Sequence, residues 1–590
     1  MTENNSAENV TFLKSLNPLN VLLEEMKQPS VKKRAQTIKT FTTISIALGP
    51  EKTRVFLIPF INQLFKDEEE IQRELIKLIP QLINYIGGQY HAHLLMDIIF
   101  NQLQKQEEVQ IRDELLICIK QIFKQINLKH FEKILMDFTN RTLQNDNFRQ
   151  KEISIILMPE FFTELDEENQ KEIIENIEKL STDPTPMIRK IICQSLVFFG
   201  KIIPIFPENT FIQIFENFLQ DESDFVRVPL LEILIILKQK IQSKTQEELN
   251  NIFIEKILQD KSIKIKCNLI EQIELIVNSF EKNIINQFYI PSLLEFLGEN
   301  ADNEVKIKFL QNILNIYQFI PNFSQLFIPK LKLLIKEKGI QIKNNLGDAI
   351  INLLQEGNID LLKILESFFE ELLEESDNEQ KFKLFKKIKD FKKFQQNLSS
   401  NVIQTIIKSI ENISQSKKWR VRTSALNTIS RLVHEANLQQ NQVDKTFFQI
   451  IKNLLKDNTA EVRLESAKTL GLLAKNFPPE FTQNFILPEF YELFENNNYL
   501  LRIGAFFSIK YTIQSLSQSY IFTQIKDLLE KGAIDKVPNI KIVVLEIIEE
   551  IIKHFGANNT DNIYQILNNL AKDKDNQVKQ KAIYILKQQQ

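Results

Sequence analysis

A chain of 590 residues, 43% hydrophobic and 25% charged, is too long for one compact domain and too apolar to stay unfolded, so it is either multidomain or a stack of repeats. Its 73 basic and 76 acidic residues are interspersed and leave a formal net charge of −3, which excludes a broad basic field that would gather nucleic acid or anionic lipid. Gly (12) and Pro (18) are scarce and no Gly/Ser/Pro-rich segment separates one region from another, which favours the stack over domains on linkers.

The chain opens on polar, acidic residues (Met1, Thr2, Glu3, Asn4, Asn5, Ser6) with neither the basic flank nor the apolar core of a signal peptide, and residues 1–16 are expected to form a disordered tail. From 17 to 590 one pattern recurs. An apolar helical stretch ends in a short polar turn, often with Asp or Asn, and Val or Ile followed by Arg or Lys opens a second apolar helix. It reads Asp183-Pro-Thr-Pro-Met-Ile188-Arg189, Asp221-Glu-Ser-Asp-Phe-Val226-Arg227, Asp457-Asn-Thr-Ala-Glu-Val462-Arg463 and Asp573-Lys-Asp-Asn-Gln-Val578-Lys579. The basic residue or its replacement falls at Arg34, Gln72, Arg112, Arg149, Arg189, Arg227, Lys266, Lys306, Lys343, Lys381, Arg422, Arg463, Arg502, Lys541 and Lys579, fifteen positions in steps of 37 to 41 residues. That period is the one HEAT and armadillo arrays have.

Two helices of about 15 residues joined by a turn bury one face each and leave an apolar edge that only the next pair can cover. Stacking is therefore obligatory, and the predicted fold is an all-α solenoid superhelix of about fifteen HEAT repeats. Val421, Ala425, Ile429 and Leu432 show the helical spacing of the buried stripe. Prolines at Pro59, Pro291, Pro329 and Pro488 fall inside first helices and predict kinks there, which favours HEAT over the three-helix armadillo repeat. The ninth and tenth repeats, around Lys343 and Lys381, match the pattern least well and are expected to be a soft region.

Chemistry-bearing motifs are absent. There is no phosphate-binding Gly-Lys-Ser/Thr loop, no His-Glu-x-x-His and no Gly-x-Ser-x-Gly. His91 and His93 beside Gly87-Gly88 are half of a metal site without a third ligand, and His434-Glu435 is the lone His-Glu step, so neither a metal nor a cofactor is expected. Cys118, Cys193 and Cys267 are far apart among apolar residues and form no disulfide framework or metal pair, which fits a reducing compartment. Apolar runs such as Ile233 to Leu237 are interrupted well short of the roughly 18 residues that cross a bilayer. Neither membrane nor nucleic acid is an expected partner, and the expected address is the cytoplasm, with the nucleus also open to it. The Arg/Lys column is read as a structural ladder pairing each cation with the Asp of a neighbouring turn. The Lys-rich stretch from Lys381 to Lys393 is read as a solvated helix face.

Several turns go beyond a generic repeat. Ala47-Leu-Gly-Pro-Glu-Lys-Thr-Arg54 followed by Leu57-Ile-Pro-Phe60, Asp183-Pro-Thr-Pro-Met-Ile-Arg189, Lys418-Trp419-Arg420-Val421-Arg422 and Asn498-Tyr499-Leu500-Leu501-Arg502 stand in the order of the corresponding turns of one family. In these words, and in its fifteen repeats, the chain resembles the scaffold (A, or 65 kDa regulatory) subunit of the type-2A serine/threonine protein phosphatase.

The resemblance implies a monomeric, non-catalytic scaffold within a heterotrimer. Turns of repeats 11–15, within 400–590, would hold the phosphatase catalytic subunit, while turns of repeats 1–8, within 17–320, would hold an exchangeable regulatory B-type subunit. Carried over position by position, the catalytic-subunit ridge comprises Lys418, Trp419, Arg420, Asn458, Thr459, Tyr499 and Leu500. The regulatory-subunit ridge comprises Glu68, Glu69, Glu107, Glu108, Asn147, Phe148, Asp183, Pro186 and Met187. Only Phe148 remains of an aromatic pair at the fourth turn, and Ile263-Lys264-Ile265-Lys266 replaces the family's Trp-Arg-Val-Arg at the seventh. Independently of the family, Trp419 lies two positions before buried Val421, about 200° around the helix, and so points outward. Rival readings are a nuclear-transport receptor or another HEAT adaptor, and, in a different class, a HEAT-like metal hydroxylase or DNA glycosylase.

Overall fold

Several second helices begin where a short polar side chain caps them. Asn147 accepts the amide of Arg149, Asn498 that of Leu500 and Asp575 those of Gln577 and Val578, each satisfying a helix-end donor that would otherwise lack a partner. At Asp377 a full capping box forms, the carboxylate taking the Gln380 amide while the Gln380 side chain accepts the Asp377 amide. The computed structural model describes residues 18–202, 207–240, 246–337, 339–356, 359–388, 400–435, 445–556 and 561–588, and every element among them is helical. The tail expected over 1–16 lies outside the described residues, as does the Lys-rich stretch from 389 onward.

The chain forms two units, Met1–Tyr289 and Ile290–Gln590. Within the first, antiparallel pairs follow one another in chain order, for example His93–Lys105 with Val109–Phe123, Glu132–Leu143 with Phe148–Phe161, and Glu167–Ser181 with Pro186–Lys201. Within the second, Ser400–Ser414 pairs with Trp419–Glu435, Lys445–Leu454 with Ala460–Asn476, and Lys526–Ala533 with Pro538–Phe555. The core of each unit is the seam between pairs. Val421, Ala425, Ile429 and Leu432 are buried as their spacing predicts, and Phe100 stacks on Phe138 across neighbouring first helices at 4.0 Å between ring centres. The chain is thus an all-α stack of HEAT-type helix pairs in each unit.

The first-helix prolines act through a wider turn. A π-helical turn over Thr53–Leu57 immediately precedes Ile58 and Pro59, and another over Thr482–Ile486 precedes Leu487 and Pro488. Proline brings no N–H and crowds the preceding turn. The inserted residue of a π turn opens the ladder at that point and turns the helix. Buried Thr53 donates its hydroxyl to the Gly49 carbonyl at 2.8 Å and so satisfies an acceptor at the bend. Pro329 lies inside Phe323–Leu333 without such a turn.

Backbones approach most closely where glycine allows it. A Cβ on Gly471 would meet the Tyr511 carbonyl oxygen at 2.6 Å and the Tyr511 Cβ at 2.7 Å, so helices Ala460–Asn476 and Tyr499–Thr512 pass backbone to backbone. Gly471→Ala is expected to destabilise the second unit by about 1–3 kcal/mol through overpacking, read as a lower urea midpoint at unchanged slope.

The three cysteines are buried. Burial alone pushes the Cys118 thiol up to about 12, and burial, aided by Asp221, raises Cys193 further, so neither carries reactive thiolate at neutral pH. In the native chain both are expected to react with an aromatic disulfide reagent at least about 100-fold more slowly than after unfolding. Prompt labelling of either at pH 7.5 would contradict their packing.

Candidate functional site: the ridge of intra-repeat turns

The turns are held by a repeating ion-pair fork. Arg189, the fourth residue after its helix cap, donates from Nε and Nη2 to the two oxygens of Asp221 in the next turn, at 2.7 and 3.0 Å. Its Nη1 reaches the carbonyls of Asp183 and Pro184 in its own turn at 2.9 and 3.2 Å. Asp221 in turn accepts the Ser223 amide at 2.8 Å. One guanidinium therefore ties its own turn to the next, and the carboxylate shapes the turn that starts the next helix.

The same fork recurs with Arg227 and Asp260, Arg422 and Asp457, and Arg502 and Asp535, at 2.6 to 3.1 Å. Lysine forms simpler rungs, with Lys306 reaching Glu337 at 2.6 Å and Lys541 reaching Asp573 at 2.7 Å. At the second rung both partners are neutral, Gln106 donating to Gln72 at 3.0 Å. The fourth rung differs from the sequence reading. Asn147 caps the helix, so the fourth residue on is Lys151, which pairs with Asp183 at 3.5 Å, while Arg149 is exposed and lies over the Phe148 ring.

Charge and geometry agree along this ladder. Burial by itself raises the carboxyls of Asp221, Asp457 and Asp535, but the hydrogen bonds and charge of Arg189, Arg422 and Arg502 outweigh it and hold all three below the usual carboxylate range. Hydrogen bonding to Lys541 does the same for Asp573.

With the forks turned inward, the turn tips are free to face outward. In the first unit Glu68, Glu69, Glu107, Glu108, Asn147, Phe148, Pro186 and Met187 are all exposed, Phe148 by 39% and Met187 by 45%. Two of them are partly engaged: Glu68 touches Arg34 at 3.4 Å and Asn147 is a helix cap. Asp183 stands apart. Its carboxylate takes the Thr185 amide at 2.8 Å and the Lys151 ammonium, so it is a rung of the ladder and not a tip.

In the second unit Lys418, Trp419, Arg420, Asn458 and Tyr499 are exposed. Trp419 is 40% exposed, pointing out as its position predicts, and the Arg420 guanidinium lies 5.4 Å from its ring. The indole borders a groove of about 360 Å³ lined also by Phe382, Phe385, Lys386 and Arg431. Lys418 pairs with Glu379 of the preceding repeat. Thr459 and Leu500 are half-buried, and the Thr459 hydroxyl accepts from Arg422 at 3.4 Å.

Sequence reasoning missed Phe225, which is 50% exposed, with the Lys264 ammonium 3.3 Å from its ring centre and Lys190 at 5.6 Å. It stands two residues after its helix cap, the slot that Met187 occupies one repeat earlier. Position within the repeat was the signal. His91 and His93 lie 6.3 Å apart between ring centres, and among the described residues no group of three or more metal-ligating side chains is assembled.

No family model matches the chain. Among curated proteins it is 24% identical over 298 residues to the regulatory A subunit of protein phosphatase PP2A from Saccharomyces cerevisiae, covering 48% of this chain and 46% of that protein. It is 25% identical over 235 residues to the Schizosaccharomyces pombe protein of the same name, covering 39% of each. To the beta isoform of the human 65 kDa regulatory A subunit of serine/threonine-protein phosphatase 2A it is 26% identical over 191 residues, covering 32% of each. These matches span less than half the length of the curated relatives. Solved structures that align with it include Kap121p, with a TM-score of 0.40 and 12% identity over 99% of this chain and 72% of that one. Importin beta aligns with a TM-score of 0.41 and 11% identity over 98% and 85%. In sequence, this stack of helix pairs is similar to the regulatory A subunits of protein phosphatase 2A in yeasts and human.

Proposed function

We propose that the chain is the non-catalytic scaffold of a protein phosphatase 2A holoenzyme. The single observation that carries this reading is the similarity to A subunits, which are named as regulatory subunits of that phosphatase. The ridge is consistent with it. An exposed Trp beside an Arg, with an exposed Tyr two turns on, has the composition of a binding hot spot, and we assign the second-unit tips, Lys418 to Arg420, Asn458, Tyr499 and Leu500, to the catalytic subunit. Thr459 supports this surface from within the ladder.

The first-unit tips, Glu68, Glu69, Glu107, Glu108, Phe148, Pro186 and Met187, are assigned to an exchangeable regulatory subunit, with Asn147 and Asp183 shaping their turns. The mechanism is positional. Two proteins tethered on one chain meet at a raised effective concentration. The chain itself performs no chemistry, and its place of action is the cytoplasm. Affinity capture of the tagged full chain from its native cells, read by mass spectrometry, is expected to recover a serine/threonine phosphatase catalytic subunit together with at least one further protein of the holoenzyme in comparable amounts. Recovery of transport cargo and a small GTPase, with no phosphatase, would refute the assignment.

A further inference from the structure

At one rung a buried lysine lacks an acid partner. Lys381 is the fourth residue after the Asp377 cap, its amide bonded to the Asp377 carbonyl at 2.9 Å, which is the place of the ladder cation. It is only 6% exposed. Its rung partner should stand where Asp457 stands in the turn that faces Arg422, two residues before the residue that precedes the helix, and that position ahead of Lys418 and Trp419 holds Ser416. Ser416 makes the backbone contacts of a ladder acid: its Oγ accepts the Lys418 amide at 3.3 Å, as Asp457 accepts that of Thr459. Its carbonyl accepts Arg422 Nη1 at 2.8 Å, as the Asp457 carbonyl accepts that of Arg463. Among the described residues no carboxylate reaches Lys381 at ion-pair distance; Asp377 and Glu374 act on it only from farther off, and burial outweighs them. A buried ammonium without a paired carboxylate is unfavourable, and the rungs described above avoid it by a carboxylate or a second neutral partner, while buried Arg463 bonds carbonyls of its own turn.

We propose that Ser416 is a phosphorylation site whose phosphate supplies the missing acid to Lys381. The hydroxyl stands in a half-buried turn, followed by exposed Lys417, Lys418 and Arg420, whose charges favour a phosphate there. In the transfer the Ser416 oxygen bonds to the γ-phosphorus of a nucleoside triphosphate. The bridging P–O bond breaks, the nucleoside diphosphate leaves and the hydroxyl proton is released to solvent. The product carries nearly two negative charges and three acceptor oxygens, enough to meet the Lys381 ammonium and keep the Lys418 amide bond. Phosphorylation thereby ties helix Asn378–Lys387 to the turn between Ser400–Ser414 and Trp419–Glu435, in the register of the other rungs. The inference rests on the ladder alone and stands whether or not the partner assignment does.

Two measurements test it. The full chain recovered from its native cells under phosphatase inhibition is expected to contain a phosphopeptide carrying phosphoserine at 416, and repeated absence of that peptide at full coverage of the turn overturns the site. Phosphoserine installed at 416 in the recombinant full chain is expected to slow hydrogen exchange over 400–435 by about tenfold relative to serine, and the slowing is expected to vanish in Lys381→Met. Slowing of the same size with and without Lys381 overturns the rung. Because Lys381→Met could unsettle its own helix, Ser416→Asp in the otherwise native chain gives a second reading. It is expected to slow exchange, by less than phosphoserine does, and faster exchange contradicts the need for an acid at this rung.

Discussion

Asp221→Ala is expected to destabilise the first unit by about 2–4 kcal/mol, the range for breaking a largely buried, hydrogen-bonded ion pair by removing one partner. Two losses add. The Arg189 guanidinium, whose side chain is 17% exposed, keeps its charge without a counter-ion, and the Ser223 amide loses the acceptor that starts helix Asp224–Arg227. Because each repeat touches only its neighbours, the effect should be local, with hydrogen exchange accelerating across 186–240 and little in the second unit. Arg189→Met added to Asp221→Ala should restore about half the loss, since the double variant buries no unpaired charge. A pair that contributed nothing would leave the urea midpoint unchanged in the single variant. The same rung sets an acid limit. The Asp221, Asp457, Asp535 and Asp573 carboxyls are depressed, so their stabilisation is complete above the ordinary carboxyl value near 3.9 and is lost as pH falls below it towards their own lower values. Unfolding monitored from pH 6 downward should begin below about pH 4 in the native chain, and the part due to this rung should be missing from Asp221→Ala.

The ladder was legible because both partners are written into one short word. Asp opens the turn and Val-Arg or Val-Lys starts the helix, so the repeat spacing brings each cation to the following acid. Legibility failed where the word was ambiguous. Around the fourth turn two basic residues, Arg149 and Lys151, compete for one slot, and only the Asn147 cap, a contact of a side-chain oxygen with a backbone amide, decides for Lys151. Asp183 is placed on the regulatory-subunit ridge by resemblance of its turn to the family, and its oxygens also bond the Thr185 amide and the Lys151 ammonium, a ladder role the resemblance did not announce. The outward direction of Trp419 followed from its angle to Val421, whereas the groove beside it did not, since Phe382 and Phe385 come from the preceding repeat and depend on how two helices pack. The π turns before Pro59 and Pro488 were equally out of reach: proline announces a bend, but not which backbone bonds absorb it.

Trp419→Ala is expected to weaken binding of the phosphatase catalytic subunit by about 30- to 1000-fold while leaving the chain folded, the range for truncating an aromatic hot spot worth about 2–4 kcal/mol. The indole is 40% exposed in the free chain and borders an open groove, so its removal leaves no sealed cavity, and the thermal midpoint should move little. What is lost is a rigid apolar plate with the Arg420 guanidinium at its edge, a surface that a partner can cover completely and that alanine cannot reproduce. Trp419→Phe keeps the plate but shortens it and should recover most of the affinity. Phe148→Ala, in the first unit, supplies the specificity control: it should weaken binding of a regulatory subunit but spare the catalytic one. The decisive comparison is therefore a crossed one, with two variants and two partners measured by titration calorimetry on the full chain. If Trp419→Ala and Phe148→Ala each reduced both affinities alike, the two ridges would not be separate docking edges. If neither moved any affinity, binding would lie off the turns altogether, on the exposed faces of the second helices where Ile117 and Phe198 stand 57% and 49% exposed.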